Sequence, residues 1–195
     1  LAGSTIGSFG LGKPLFCNGA NMAFSRNEFQ QLLGFTGNEN LASGDDVFLL
    51  EKFNKVYPND THYLKAATAI VHTSSMPDWH SFMQQQFRWA AKSTGYTSLF
   101  TKLTGILVVL MNISLLTLLI MAVSNMYYSM LLMLGFGIKF TVDFFLLHRA
   151  SLLLGRQQSL LLYPIIGLLY PFFSVFTTVG AFTGPFQWKE RSFKQ

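Results

Sequence analysis

Charge is scarce in this sequence, and unevenly so. Only 12% of its 195 residues are Asp, Glu, Lys or Arg, about half the share of an ordinary soluble domain. Acidic residues nearly vanish from the second part. Residues 79–195 hold two of them against nine Lys/Arg, a net of +7, whereas residues 1–78 hold seven against five, a net of −2. An apolar, basic half points to membrane lipids and an anionic membrane surface. No Arg/Lys stripe with interleaved aromatics is present, so nucleic acid is not an expected partner. Cysteine is nearly absent too: Cys17 stands alone, which excludes an internal disulfide and speaks against a cysteine-based metal site. The histidines His62, His72, His80 and His148 follow no ligand spacing. The chain opens on Leu with no signal peptide, and it reads as a fragment whose start is missing.

What is abundant is apolar sequence, half of all residues. Thr104 to Val123 carries no charge and has the length that crosses a hydrocarbon core of about 30 Å. Ser124, Asn125, Tyr127 and Tyr128 mark a turn at an interface, and residues 126–147 return. That second span carries Lys139 and Asp143, four apart and so able to pair on one helix face. Such an intramembrane pair is either functional or a device holding adjacent helices together. Residues 159–182 form a third apolar stretch, interrupted by Pro164 and Pro171. Its course stays open. A full crossing puts Lys189, Arg191 and Lys194 outside, against the rule that basic loops stay cytoplasmic, and a re-entrant path returns them.

The region before the spans divides in two. Residues 1–76 read as the end of a mixed α/β domain: a small, polar strand or loop over Leu15 to Phe24, a short helix over Arg26 to Leu33, a stronger helix opened by Ser43-Gly44-Asp45-Asp46 and closed by Pro58, and a buried strand over Thr68 to Thr73. Residues 77–102 bring an amphipathic helix, started by Pro77 and Asp78 and running to residue 94, that suits the membrane interface. The membrane region spans 103–186, and 187–195 form a basic tail.

Two local patterns carry chemistry. Ser43 and Asp46 have the spacing of a capping box, yet a carboxylate at that point can equally accept a proton from a hydroxyl. Gln85, Arg88 and Trp89 project from one helix side. A guanidinium there can clamp a diphosphate, an indole can lie against a sugar ring, and the amide can bond hydroxyls. An interfacial Arg/Trp anchor accounts for the same residues.

Gln85-Gln86-Phe87-Arg88-Trp89 resembles the Q-(Q/R)-x-R-W motif of membrane-embedded family 2 glycosyltransferases, the group of cellulose, hyaluronan and poly-N-acetylglucosamine synthases and ceramide glucosyltransferase-like enzymes. Phe16-Cys17-Asn18-Gly19-Ala20-Asn21 is similar to their acceptor-side segment. Ser43-Gly44-Asp45-Asp46 is similar to their T/S/G-(E/D)-D motif, and Trp188-Lys189-Glu190-Arg191 to the W-K-G-R after the last span. The resemblance covers roughly residues 15–191. It implies a fold class of α/β plus transmembrane helices: the C-terminal part of a GT-A-type α/β domain, an interface helix and about three apolar membrane segments.

It further implies an inverting transferase that moves a sugar from a nucleotide-sugar donor to a lipid-linked or polysaccharide acceptor. The enzyme would sit in a bacterial inner membrane with its catalytic part cytoplasmic. Asp46 would be the general base and Arg88 the diphosphate ligand. Trp89 would floor the acceptor sugar, with Asp45, Gln85, Asn18, Gly19 and Ala20 lining the substrate. A divalent metal, Mg or Mn, would be held outside this chain, because the D-x-D motif and the nucleotide-binding strands are not in it. The fragment alone is accordingly expected to be inactive. Asp45 stands where Glu is commoner, and Glu190 where the family has Gly. The rival reading is a membrane transporter or anchored scaffold in which Lys139 and Asp143 matter most and Asp46 only caps a helix.

Overall fold

A computed structural model of the chain describes residues 2–37, 44–183, 186–188 and 191–193. Three helices come from the first part: α1 (Ala2–Gly10), α2 (Arg26–Gln31) and α3 (Asp45–Val56). The amphipathic α4 (Trp79–Ala91) follows, and then three long helices, α5 (Leu99–Met121), α6 (Met126–Leu154) and α7 (Tyr163–Thr183). Strands β1 (Phe186–Trp188) and β2 (Arg191–Phe193) close the described chain as an antiparallel hairpin pairing Phe186 with Phe193 and Trp188 with Arg191.

The α/β expectation is corrected here. Among the described residues, 1–76 hold no strand, and no GT-A-type α/β domain is present; the sole sheet is the two-stranded hairpin of β1 and β2. Thr68 to Thr73, expected as a buried strand, contains the end of a 3-10 turn (Ala67–Ala69) and continues as irregular, largely exposed chain. Its β-branched residues favour a pleated surface only where a neighbouring strand completes the ladder. None lies beside it among the described residues, so Ala69 and Ile70 donate their N–H groups back to Ala66 and Ala67 instead.

α3 is the core of the region before the long helices. Asp45 and Asp46 occupy its first turn and Lys55 its last, matching the charges of the helix ends. Val47, Phe48, Leu49 and Leu50 are all buried, so this helix is covered on more than the one stripe its periodicity predicts. Gly44 caps it at φ 107°, a conformation that favours glycine. The Ser43 half of the expected capping box lies outside the described residues. Two side chains lash α3 to its surroundings. The Lys52 ammonium donates to the carbonyls of Leu32, Gly34 and Thr36 at 3.3, 2.8 and 2.7 Å, closing the end of α2. The Glu51 carboxylate accepts from the Thr97 N–H, the Thr97 hydroxyl and the Ser98 N–H at 2.8, 2.6 and 3.1 Å.

The α4 helix starts two residues later than expected, because Asp78 is its cap: the carboxylate accepts from the Ser81 N–H and hydroxyl. It gives way at Lys92–Gly95 to a 3-10 turn.

The three long helices are each long and apolar enough to cross a membrane. Their bounds depart from the hydropathy reading where capping decides. α5 begins at Leu99 because the Ser98 hydroxyl accepts from the Thr101 N–H. α6 runs on to Leu154, past the expected 147, and stops at Gly155 with φ 63°. α7 is continuous, with Pro171 inside it, and its two ends meet different partners. Tyr163 donates its hydroxyl to the Phe140 carbonyl of α6 at 2.8 Å. Further along, Phe173 stacks on Phe82, Phe176 meets Phe87, and Ala181 is buried against Ala91, all on α4. Between these ends, the Asn112 amide of α5 donates to the Ser174 hydroxyl at 3.3 Å. Lys139 and Asp143 do pair, and the Lys139 ammonium also lies over the Tyr170 ring of α7, 4.9 Å from its centre. The pair thereby ties α6 to α7.

Candidate active site

Three segments far apart in sequence meet at the start of α3. Asn18 opens a 3-10 turn over Gly19–Asn21 by accepting the Ala20 N–H on its side-chain oxygen. That turn aims the Gly19 N–H at Asp46, whose Oδ2 accepts it at 3.1 Å. The other carboxylate oxygen accepts the Val47 N–H at 2.9 Å. Cys17 completes the contact, its thiol donating to the Asp46 carbonyl at 3.0 Å.

The third segment is the end of α4. Lys92 sets its ammonium 4.0 Å from Asp46 Oδ1, with 14% of the lysine side chain and 25% of the aspartate side chain exposed. Arg88 lies one turn before Lys92 on the same helix and within electrostatic range of the same carboxylate. Burial lowers the pKa of both cations, while Asp46 pulls each back toward its charged form. The Cys17 thiol is pushed up to about 12, first by burial and then by Asp46, with Lys92 opposing. Tyr96, packed on Val47 and Phe48, is raised as well by burial and by Asp46.

Of the residues singled out from sequence, the structure brings together Gly19, Asp46 and Arg88. Asn18 shapes the turn that presents Gly19, and Ala20 is exposed beside it. Asp45 is exposed next to Asp46. Gln85 and Trp89 are partly buried on α4, on the helix that carries Arg88, but no described contact ties either to Asp46. Lys92 and Glu51 were not singled out as site residues in the sequence. The signal for Lys92 was its position four residues after Arg88, on the same helix face. Glu51 gave none, because its partners Thr97 and Ser98 are nearly fifty residues away.

A cavity of about 930 Å³ runs along α3, with Cys17, Asn18 and Ala20 in its wall and Leu49, Leu50 and Phe53 beneath. Asp46, Arg88 and Lys92 are not part of it. The implied divalent metal does not suit the residues at Asp46. Among the described residues no group of three His, Cys, Asp or Glu side chains converges, and Asp46 already faces an ammonium, whose charge repels a second cation.

A carboxylate held by two backbone N–H groups and set against two cations is suited to group transfer with an anionic leaving group. The family model described as glycosyl transferase family group 2 matches residues 3–147, and the chain belongs to that family. No curated protein and no solved structure matches it.

Proposed function

We propose that this chain carries the acceptor side of a membrane-bound, inverting glycosyltransferase that uses a nucleotide-sugar donor on the cytoplasmic face and a lipid-linked or polysaccharide acceptor. One observation supports this most: the Gly19 turn, the Asp46 carboxylate and the cationic end of α4 converge on one point, with three membrane-length helices behind them. Asp46 accepts the proton of the acceptor hydroxyl. The acceptor oxygen then bonds to the anomeric carbon as the sugar–phosphate bond breaks, and the electron pair leaves with the diphosphate. Arg88 meets that diphosphate, Trp89 and Gln85 meet the acceptor sugar, and Asn18, Gly19, Ala20 and Asp45 line its approach. The two N–H donors hold Asp46 in place, so its free lone pairs point at the hydroxyl without reorganisation.

The test is Asp46→Asn in the full-length protein. A general base is worth about 100- to 10,000-fold, so sugar transfer should fall by that order while the protein stays folded. Transfer at the wild-type rate would remove Asp46 from the mechanism. The transporter reading gains no support from Lys139 and Asp143, which serve to join α6 to α7 through Tyr170.

A further inference from the structure

Lys92 is an odd residue in its setting. It is mostly buried, yet among the described residues its ammonium finds no hydrogen-bond acceptor, and its one charge partner stands 4.0 Å away, too far for a hydrogen bond. Asp46 does not need it. Both carboxylate oxygens are already held, one by the Gly19 N–H and one by the Val47 N–H. With its one charged partner distant and otherwise satisfied, the largely buried ammonium keeps donors open to an anion arriving from outside. The Lys92 stem runs over the start of α3, its Cδ 3.3 Å from where a side chain on Gly44 would begin. Glycine at that point leaves the stem room to swing.

We propose that Lys92 exchanges anions. It faces the Asp46 carboxylate in the empty enzyme and turns, beside Arg88, to the diphosphate of the donor when that binds. The exchange builds on the glycosyltransferase reading and adds a residue and an order of events to it. Until the donor arrives, the cation is paired with the Asp46 carboxylate. Once the diphosphate claims the cation, the carboxylate is released to take the acceptor proton. Donor therefore arms the base, and an acceptor hydroxyl is deprotonated only when a leaving group is in place.

The signature is competition between Asp46 and the diphosphate for one cation. Inorganic pyrophosphate is titrated into the full-length protein in nanodiscs at fixed ionic strength, with binding read by calorimetry. Lys92→Ala should weaken binding about tenfold, the loss of one charge-assisted contact, and Lys92→Arg should restore most of it. Asp46→Asn should tighten binding severalfold, since the competing carboxylate is gone. A lysine that merely braces α3 against α4 would leave the affinity of the folded protein unmoved in all three. Unchanged affinity in Lys92→Ala, or no tightening in Asp46→Asn, overturns the exchange. If pyrophosphate binds and is lost only in Arg88→Ala, the exchange fails while the diphosphate site stands. If the wild-type protein binds no pyrophosphate, the site reading itself falls.

Discussion

Removing the Glu51 side chain should loosen the joint between α3 and the first long helix without unfolding either. In Glu51→Ala the Thr97 N–H, the Thr97 hydroxyl and the Ser98 N–H all lose their acceptor. A hydrogen bond to a charged group contributes about 1.5–3 kcal/mol, but three on one carboxylate are not independent. Both Thr97 donors are exposed, so water replaces part of what is lost. The net cost should be about 2 kcal/mol. Local opening of the 92–98 joint then becomes about 30-fold more frequent. Hydrogen–deuterium exchange read by mass spectrometry measures this directly. Peptides covering Thr97 and Ser98 should exchange faster by that order, whereas those from the middle of α5 and α6 should not change. Glu51→Gln keeps one carbonyl oxygen and should lie between. Since Glu51 shares α3 with Asp46, transfer activity should fall in the same rank order. Unaltered exchange at residues 97 and 98 in Glu51→Ala would show that the carboxylate does not hold the joint.

Other perturbations test separate parts of the structure. Lys139→Met leaves the Asp143 carboxylate without its partner among apolar helices and should destabilise the folded protein by about 3–5 kcal/mol. Thermal unfolding in nanodiscs should show most of that recovered in Lys139→Met with Asp143→Leu, and a double variant as unstable as the single one would contradict a purely pairwise role. Cys17 keeps its thiol neutral because burial, and after it the Asp46 charge, raise its pKa from 9.0 to about 12. The stability linked to it is therefore complete below about pH 9 and is lost as pH climbs toward 12; rapid iodoacetamide labelling of the folded protein at pH 8 would disprove the shielding. Gly180→Ala drives a methyl group into the Phe87 ring, whose Cζ would be 2.9 Å away. Phe87 already packs on Phe176, so the α4–α7 contact should weaken by about 1–3 kcal/mol, seen as a lower unfolding temperature; an unchanged temperature would mean that the ring moves freely.

Much of this protein was legible before any coordinates. A stretch of twenty uncharged apolar residues can form little but a helix in an apolar medium, since every backbone polar group must be satisfied within the segment. The first long helix follows from that rule. The second carries Lys139 and Asp143 within it, and the sequence leaves the course of the third open between a full crossing and a re-entrant path. Local capping at Ser98 and Gly155 settled the ends of the first two. The pairing of Lys139 with Asp143 was likewise legible, because a helix fixes which residues four apart share a face. So was the start of α3 at Asp45 and Asp46, where charge meets the helix dipole.

The strand expected over Thr68 to Thr73 failed for the opposite reason. A strand's stability resides in its neighbour, and propensity within one segment cannot supply a missing ladder. The site shows the same division. Asp46 and Arg88 were visible as residue types in a familiar order, with no geometry attached. Tertiary structure alone brought the Gly19 N–H to one side of the carboxylate and Lys92 to the other, and stretched Glu51 across to the start of α5. Helical periodicity is a local property and can be read along the chain. The distance between Lys92 and Asp46 depends on how α3 packs against the end of α4, and packing between elements is where the folded protein decides.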